Sequence, residues 1–185
     1  MPEERPGRDA DHARWEALFT GYADLVYAYA ARRVPIEDAP DVVAETFVVA
    51  GRRTDDVPED ALPWLYAVAR NVMRNQRRAA DRRAALRGKL SRTQTPPPEV
   101  PPELEEIEAR DAVTVALSRL PTAEREALLL VVWEDLDAAR GAQVLGCSPA
   151  AFSVRVHRAK RRLRSVLAEP EGWGSDLRAA DGGAT

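Results

Sequence analysis

From residue 11 onward, apolar side chains return every third or fourth position: Trp15, Leu18, Phe19, Tyr22, Leu25, Val26 and Tyr29. That spacing lays them along one stripe of an α-helix over about 11–33, which Pro35 ends. A second helix is expected to open near Asp38, with Pro40 in the first turn, where its missing N–H leaves no bond unmade. It turns Val43, Phe47 and Ala50 inward and stops at Gly51. The stretch RRTDDVPED, 52–60, carries no period and reads as a loop, and Asp60 is suited to cap the helix that follows. In that third helix Pro63 falls in the first turn and Leu65, Val68, Ala69, Val72 and Met73 face inward.

The helical pattern breaks at SRTQTPPPEVPPE, 91–103, whose prolines make it a semi-extended linker. Beyond it Leu104, Ile107, Val113, Ala116, Leu117 and Leu120 predict one helix, and Thr122 is placed to cap another that runs through Trp133. Asp137 can cap a third, which Gly146 closes in the left-handed conformation that glycine adopts at little cost. Ser148 followed by Pro149, a cap and then a first-turn proline, opens a fourth helix to about Leu167. Strand-like alternation is absent. The expected fold is therefore all-α, two small helical domains joined by a Pro-rich linker, without internal repeats. The boundaries are a disordered N-terminus at 1–10, a first domain at 11–87, the linker at 88–103, a second domain at 104–168 and a tail at 169–185.

Hydrophobic residues make up 45% of the 185 positions and charged residues 31%, the balance of a chain that folds. One cysteine, Cys147, allows no internal disulfide, and His12 with His157 form no zinc pattern, so neither metal nor cofactor is expected. The N-terminus is charged where a signal peptide is apolar, and no run is long enough to span a bilayer. These features predict a cytoplasmic protein without membrane insertion of its own. The chain pairs no catalytic carboxylates, carries no Gly-rich phosphate loop and sets no nucleophile beside a histidine, so it is not expected to be an enzyme.

The net charge of −3 hides a segregation. Residues 35–62 hold eight acids against Arg52 and Arg53, while 70–92 hold nine bases against Asp81. A second basic block, LGCSPAAFSVRVHRAKRRLR at 145–164, has six bases and no acid. Two basic blocks, each preceded by an acidic one, imply two polyanion contacts and at least one different partner.

The helix over 138–145, the turn at Gly146 and Cys147, and the helix from 149 have the proportions of a helix-turn-helix, whose second helix enters the major groove. Arg155, Arg158, Lys160, Arg161, Arg162 and Arg164 would then meet phosphates, and the short side chains of Ser148, Ala150, Ala151 and Ser153 would approach the bases.

The run from LPTAEREALLL to RAKRRLRSVL resembles region 4 of bacterial sigma factors. DAPDVVAETFVVAGRR with ALPWLYAVARNVMRNQRR resembles region 2. Having only these two regions, the chain is similar to the extracytoplasmic-function (ECF) group. The resemblance implies a subunit that binds core RNA polymerase, brings it to promoters by recognising −10 and −35 elements, and promotes opening of the duplex. Asp41, Val42, Glu45, Thr46 and Phe47 match the helix that docks on the polymerase. Trp64, Tyr66, Arg70, Asn71, Arg74, Arg77 and Arg78 match the elements that hold the −10 strand, though Trp64 and Tyr66 read equally well as core. Ser148, Ala150, Ala151, Ser153, Arg155, Arg158, Lys160 and Arg161 match the −35 reader. An anti-sigma factor is an implied partner. The sequence departs from the family pattern at Ala44, usually Gln, and at Gly141, usually a bulky aliphatic residue. The alternative reading is a stand-alone dimeric helix-turn-helix regulator, which leaves the docking-like helix and the first basic block without a use.

Overall fold

The computed structural model describes residues 6–90 and 113–168, with side chains over 12–83 and 113–168. Residues 91–103 of the linker, the tail and the expected helix positions Leu104 and Ile107 lie outside the described residues, while 88–90, expected to begin the linker, are the last residues of the third helix. Among the described residues every regular element is helical and no strand occurs, as the spacing predicts.

Helix α1 (Pro6–Ala31) opens ahead of residue 11, on a proline that fits a first helical position. Leu18, Val26, Tyr29 and Ala30 are buried, but Phe19 and Leu25 of the same apolar stripe stay 40% and 44% exposed. The stripe is wider than the surface its neighbours cover. A 3₁₀ turn at Ile36–Asp38 leads into α2 (Ala39–Arg52), which buries Ala39, Val42, Thr46, Phe47 and Ala50. Thr46 tolerates full burial because its hydroxyl donates to the carbonyl of Val42 at 2.7 Å. A second 3₁₀ turn, Thr54–Asp56, lies in the loop before α3 (Ala61–Leu90). On α3 Ala61, Leu65, Tyr66, Ala69 and Val72 are buried. The Tyr66 ring stacks on Tyr29 at 4.5 Å, with Arg33 3.7 Å over the Tyr29 ring.

One contact ties α1 to α2 through the main chain. The Trp15 indole N–H donates to the carbonyl of Phe47 at 2.9 Å, while its ring stacks on Phe19, which meets Phe47 edge-on. The indole lies so close that a Cβ on Gly51 would stand 3.0 Å from its Cδ1. Gly51→Ala should therefore lower the melting temperature, although Ala is the better helix former by about 1 kcal/mol. The hydrogen bond and the ring stack hold the indole in place, and overpacking of this kind costs about 1–3 kcal/mol. A thermal melt of the full chain checks this; a rise would show that Trp15 yields.

Residues 113–118 are helical (α4). They are followed by α5 (Thr122–Val132), α6 (Ala138–Leu145) and α7 (Pro149–Ala168). Leu120, Leu128 and Ala159 form a buried cluster, with Leu117 and Leu163 packed against it. Thr122 does not cap α5: it is the first helical residue, the cap position belongs to Pro121, and no side chain bonds to that end. Asp135 adopts a positive φ of 50° in the turn after α5, a conformation that Asp tolerates better than most residues. The chain's contacts divide into two units, one drawn from Met1–Pro97 with Ala139–Ser148, the other from Pro98–Ala138 with Pro149–Thr185. Within the first, Asp60 does not spend its carboxylate on a helix cap. It receives two hydrogen bonds from Arg140, at 2.6 and 2.7 Å, which lower its pKa.

Candidate nucleic-acid interface

The turn between α6 and α7 is built by Gly146, whose φ of 62° is the left-handed value expected from the sequence. The Cys147 N–H donates back to the carbonyl of Ala142 at 3.0 Å, closing the end of α6. Gly146 has open space where a Cβ would go, so Gly146→Ala would meet backbone strain alone, about 1–2 kcal/mol. Urea denaturation should show a loss of that size, and a smaller one for Gly146→Asn.

On α7, Phe152 and Ala159 are buried, with Val156 and Leu163 partly so, and they mark the inward side. The opposite side carries Ala150, Val154, His157, Arg158, Arg161 and Arg164, all exposed. Of the expected −35 readers, Ser148, Ala150, Ser153, Arg158, Lys160 and Arg161 are exposed, whereas Ala151 and Arg155 are half-buried at the flank. The Ser153 hydroxyl donates back to the carbonyl of Pro149 at 3.0 Å. Arg162 is not simply offered to phosphate: its Nε lies 3.1 Å from a carboxylate oxygen of Glu124, which is buried on α5. The pair is held by charge without hydrogen-bond alignment. With Arg162 half-exposed, it is worth no more than about 1 kcal/mol. Val154 and His157 share this outward side without being among the expected readers; their spacing from Ala150, four and seven positions, is the sequence signal that places them there.

On α3, Asn71, Arg74, Arg77 and Arg78 are exposed together, with Arg78 donating to the Asn75 side-chain oxygen at 2.6 Å. Trp64 and Arg70 are half-buried. Tyr66 is 2% exposed and stacked on Tyr29, so it is a core residue and not a platform for a base. On α2 the expected docking residues divide. Asp41 and Glu45 are exposed, Glu45 accepting from Gln76 at 3.2 Å. Val42, Thr46 and Phe47 are buried to 1% exposure or less and present nothing to a partner. Their place on the outer face is taken by Ala44 and by Val48, 49% exposed. Ala44 also lines an open apolar groove between α1 and α2, with Phe19, Ala23, Tyr27, Pro40 and Val43.

Residues 18–83 match the Sigma-70 region 2 family profile, and residues 110–163 match Sigma-70, region 4. The RNA polymerase sigma factor NccH of Alcaligenes xylosoxydans xylosoxydans is 34% identical over 148 residues, covering 76% of this chain and 80% of that one. The chain belongs to the sigma-70 family. The ECF RNA polymerase sigma factor SigL of Mycobacterium tuberculosis is 30% identical over 164 residues, 86% of this sigma factor and 92% of SigL, which places it with the ECF group. The fold is shared with the sigma factor RpoE of Bartonella quintana, solved in complex with the anti-sigma factor NepR. That match has a TM-score of 0.60 and 22% identity over 83% of this chain and 96% of that one. As a sigma factor the protein directs RNA polymerase to promoters, and the reading as a stand-alone dimeric regulator is not favoured. No described helix is long and apolar enough to cross a membrane.

Proposed function

We propose that this ECF sigma factor acts in the cytoplasm, has no catalytic activity of its own, and divides its work between domains at 11–87 and 104–168 joined by the linker at 88–103. The first domain docks core RNA polymerase through the exposed side of α2, Asp41, Ala44, Glu45 and Val48, and holds the −10 strand with Asn71, Arg74, Arg77 and Arg78. The second lays α7 in the major groove of the −35 element. The observation that carries this reading is α7 itself: a left-handed glycine turn sets its start, its inward side is apolar, and its outward side is small at the first turn and basic beyond. An anti-sigma factor is the expected regulator, by analogy with the RpoE complex, and the apolar groove between α1 and α2 is where it would find purchase.

Run-off transcription on fragments of the host genome, with purified core polymerase in the presence and absence of this chain, tests the reading. Promoter-specific transcripts that require the chain are expected. Unchanged core activity, together with DNA binding by the chain alone, would overturn it.

A further inference from the structure

The outward side of α7 carries an apolar residue where the proposed DNA-binding surface would otherwise be small or charged. Val154 is 48% exposed, one turn beyond Ala150 and one turn before Arg158. A β-branched residue is among the poorer helix formers, so an exposed valine does little for the helix itself. Over the first two turns around it, no exposed side chain is one that reads a base through paired hydrogen bonds. Arginine reads guanine, and asparagine or glutamine reads adenine, through paired hydrogen bonds. Ser148, just ahead of α7, is exposed, and the first two turns of α7 expose Pro149, Ala150, Ser153 and Val154; the Ser153 hydroxyl donates to the carbonyl of Pro149, and Arg155 is half-buried at the flank. Beside the hydroxyls of Ser148 and Ser153, what the outward side of these turns offers a base edge is the aliphatic surface of Ala150 and Val154. In the major groove one base presents a methyl group in return, thymine at C5.

We propose that Val154, with Ala150 beside it, reads a thymine C5-methyl group in the −35 element. The inference rests on α7 being the −35 reader and adds the base it selects. Arg158 and Arg161, one and two turns further along the same side, fix the register by holding phosphates, so that Val154 returns to the same base pair at each binding event.

Replacing thymine by uracil removes that methyl and nothing else. The test uses holoenzyme, core polymerase with the full chain, on a promoter recovered by run-off transcription, with each −35 thymine of either strand replaced singly by uracil. One position is expected to lose about fourfold in affinity, the worth of one buried methyl-sized group. With Val154→Ala, the thymine promoter should bind correspondingly less tightly and the uracil penalty should vanish. A −35 element without thymine, uracil tolerated at every position, or a penalty undiminished in Val154→Ala would each overturn the proposal. If Val154→Ala instead weakens binding to core polymerase in the absence of DNA, the residue serves a protein contact and the proposal falls. Arg158→Ala is titrated in parallel on the unmodified promoter: undiminished binding removes α7 from the −35 element and refutes the reading on which the inference rests, whereas weakened binding together with uracil insensitivity refutes this inference alone.

Discussion

Phe47→Ala is expected to cost the N-terminal helices about 3–5 kcal/mol, the usual range for deleting a buried phenyl ring. Phe47 is 1% exposed, meets Phe19 edge-on at 5.0 Å, and belongs to the residue whose carbonyl anchors the Trp15 indole. Against a typical domain stability of about 5–15 kcal/mol, a loss of that size removes a large share, and the melting temperature should fall by more than about 12 °C. Polymerase binding would then be lost through unfolding. Glu45→Lys separates the two causes. Glu45 is exposed, so its replacement should shift stability by no more than about 0.5 kcal/mol. Reversing its charge should nevertheless weaken capture of core polymerase at least about tenfold. Calorimetry and a polymerase pull-down on both variants decide the matter. Native-like melting of Phe47→Ala would show that the ring is not core; normal polymerase binding by a folded Glu45→Lys would remove this side of α2 from the interface.

Arg158→Ala and Arg161→Ala are each expected to weaken holoenzyme binding to promoter DNA at least about tenfold, as losing a charge-assisted hydrogen bond does. Each should also flatten the dependence of log affinity on log salt by about 0.9, one phosphate's share of released counterion. Both guanidinium groups stand on the outward side of α7. Arg162 provides the control: its charge is already matched by Glu124, so Arg162→Ala should leave the slope nearly unchanged. Anisotropy titrations over a range of potassium chloride concentrations measure all three. Equal slopes for wild type, Arg158→Ala and Arg161→Ala would take α7 out of the DNA interface, and a reduced slope for Arg162→Ala would show that Glu124 does not hold it.

The helices were legible because burial on one side imposes a period of 3.6, and the turn before α7 because a left-handed residue demands glycine. Which side of a helix a motif residue occupies was not legible to the same degree. The docking residues 41–47 form one continuous run, yet less than two turns of helix point some of them outward and others inward. Val42 and Phe47 went inside as apolar residues do. Thr46 followed because it bonds its hydroxyl to a carbonyl one turn earlier, a local satisfaction that hydropathy does not register. Tyr66 is core through a partner 37 positions away in sequence, Tyr29, and no local window contains that pair. The ion pair of Arg162 with Glu124 was hidden for the same reason: in sequence, Arg162 is one of six similar bases.

On α7 the residues that hold the helix to its domain and the residues that face outward occupy opposite sides. Substitutions at Ala150, Val154 and His157 therefore fall where the fold is nearly indifferent, at a cost of about 0.5 kcal/mol or less. If this side reads promoters as proposed, a duplicated copy of the gene could change its target promoters at those three codons while remaining folded. Divergence of regulons by that route would need no passage through an unfolded ancestor.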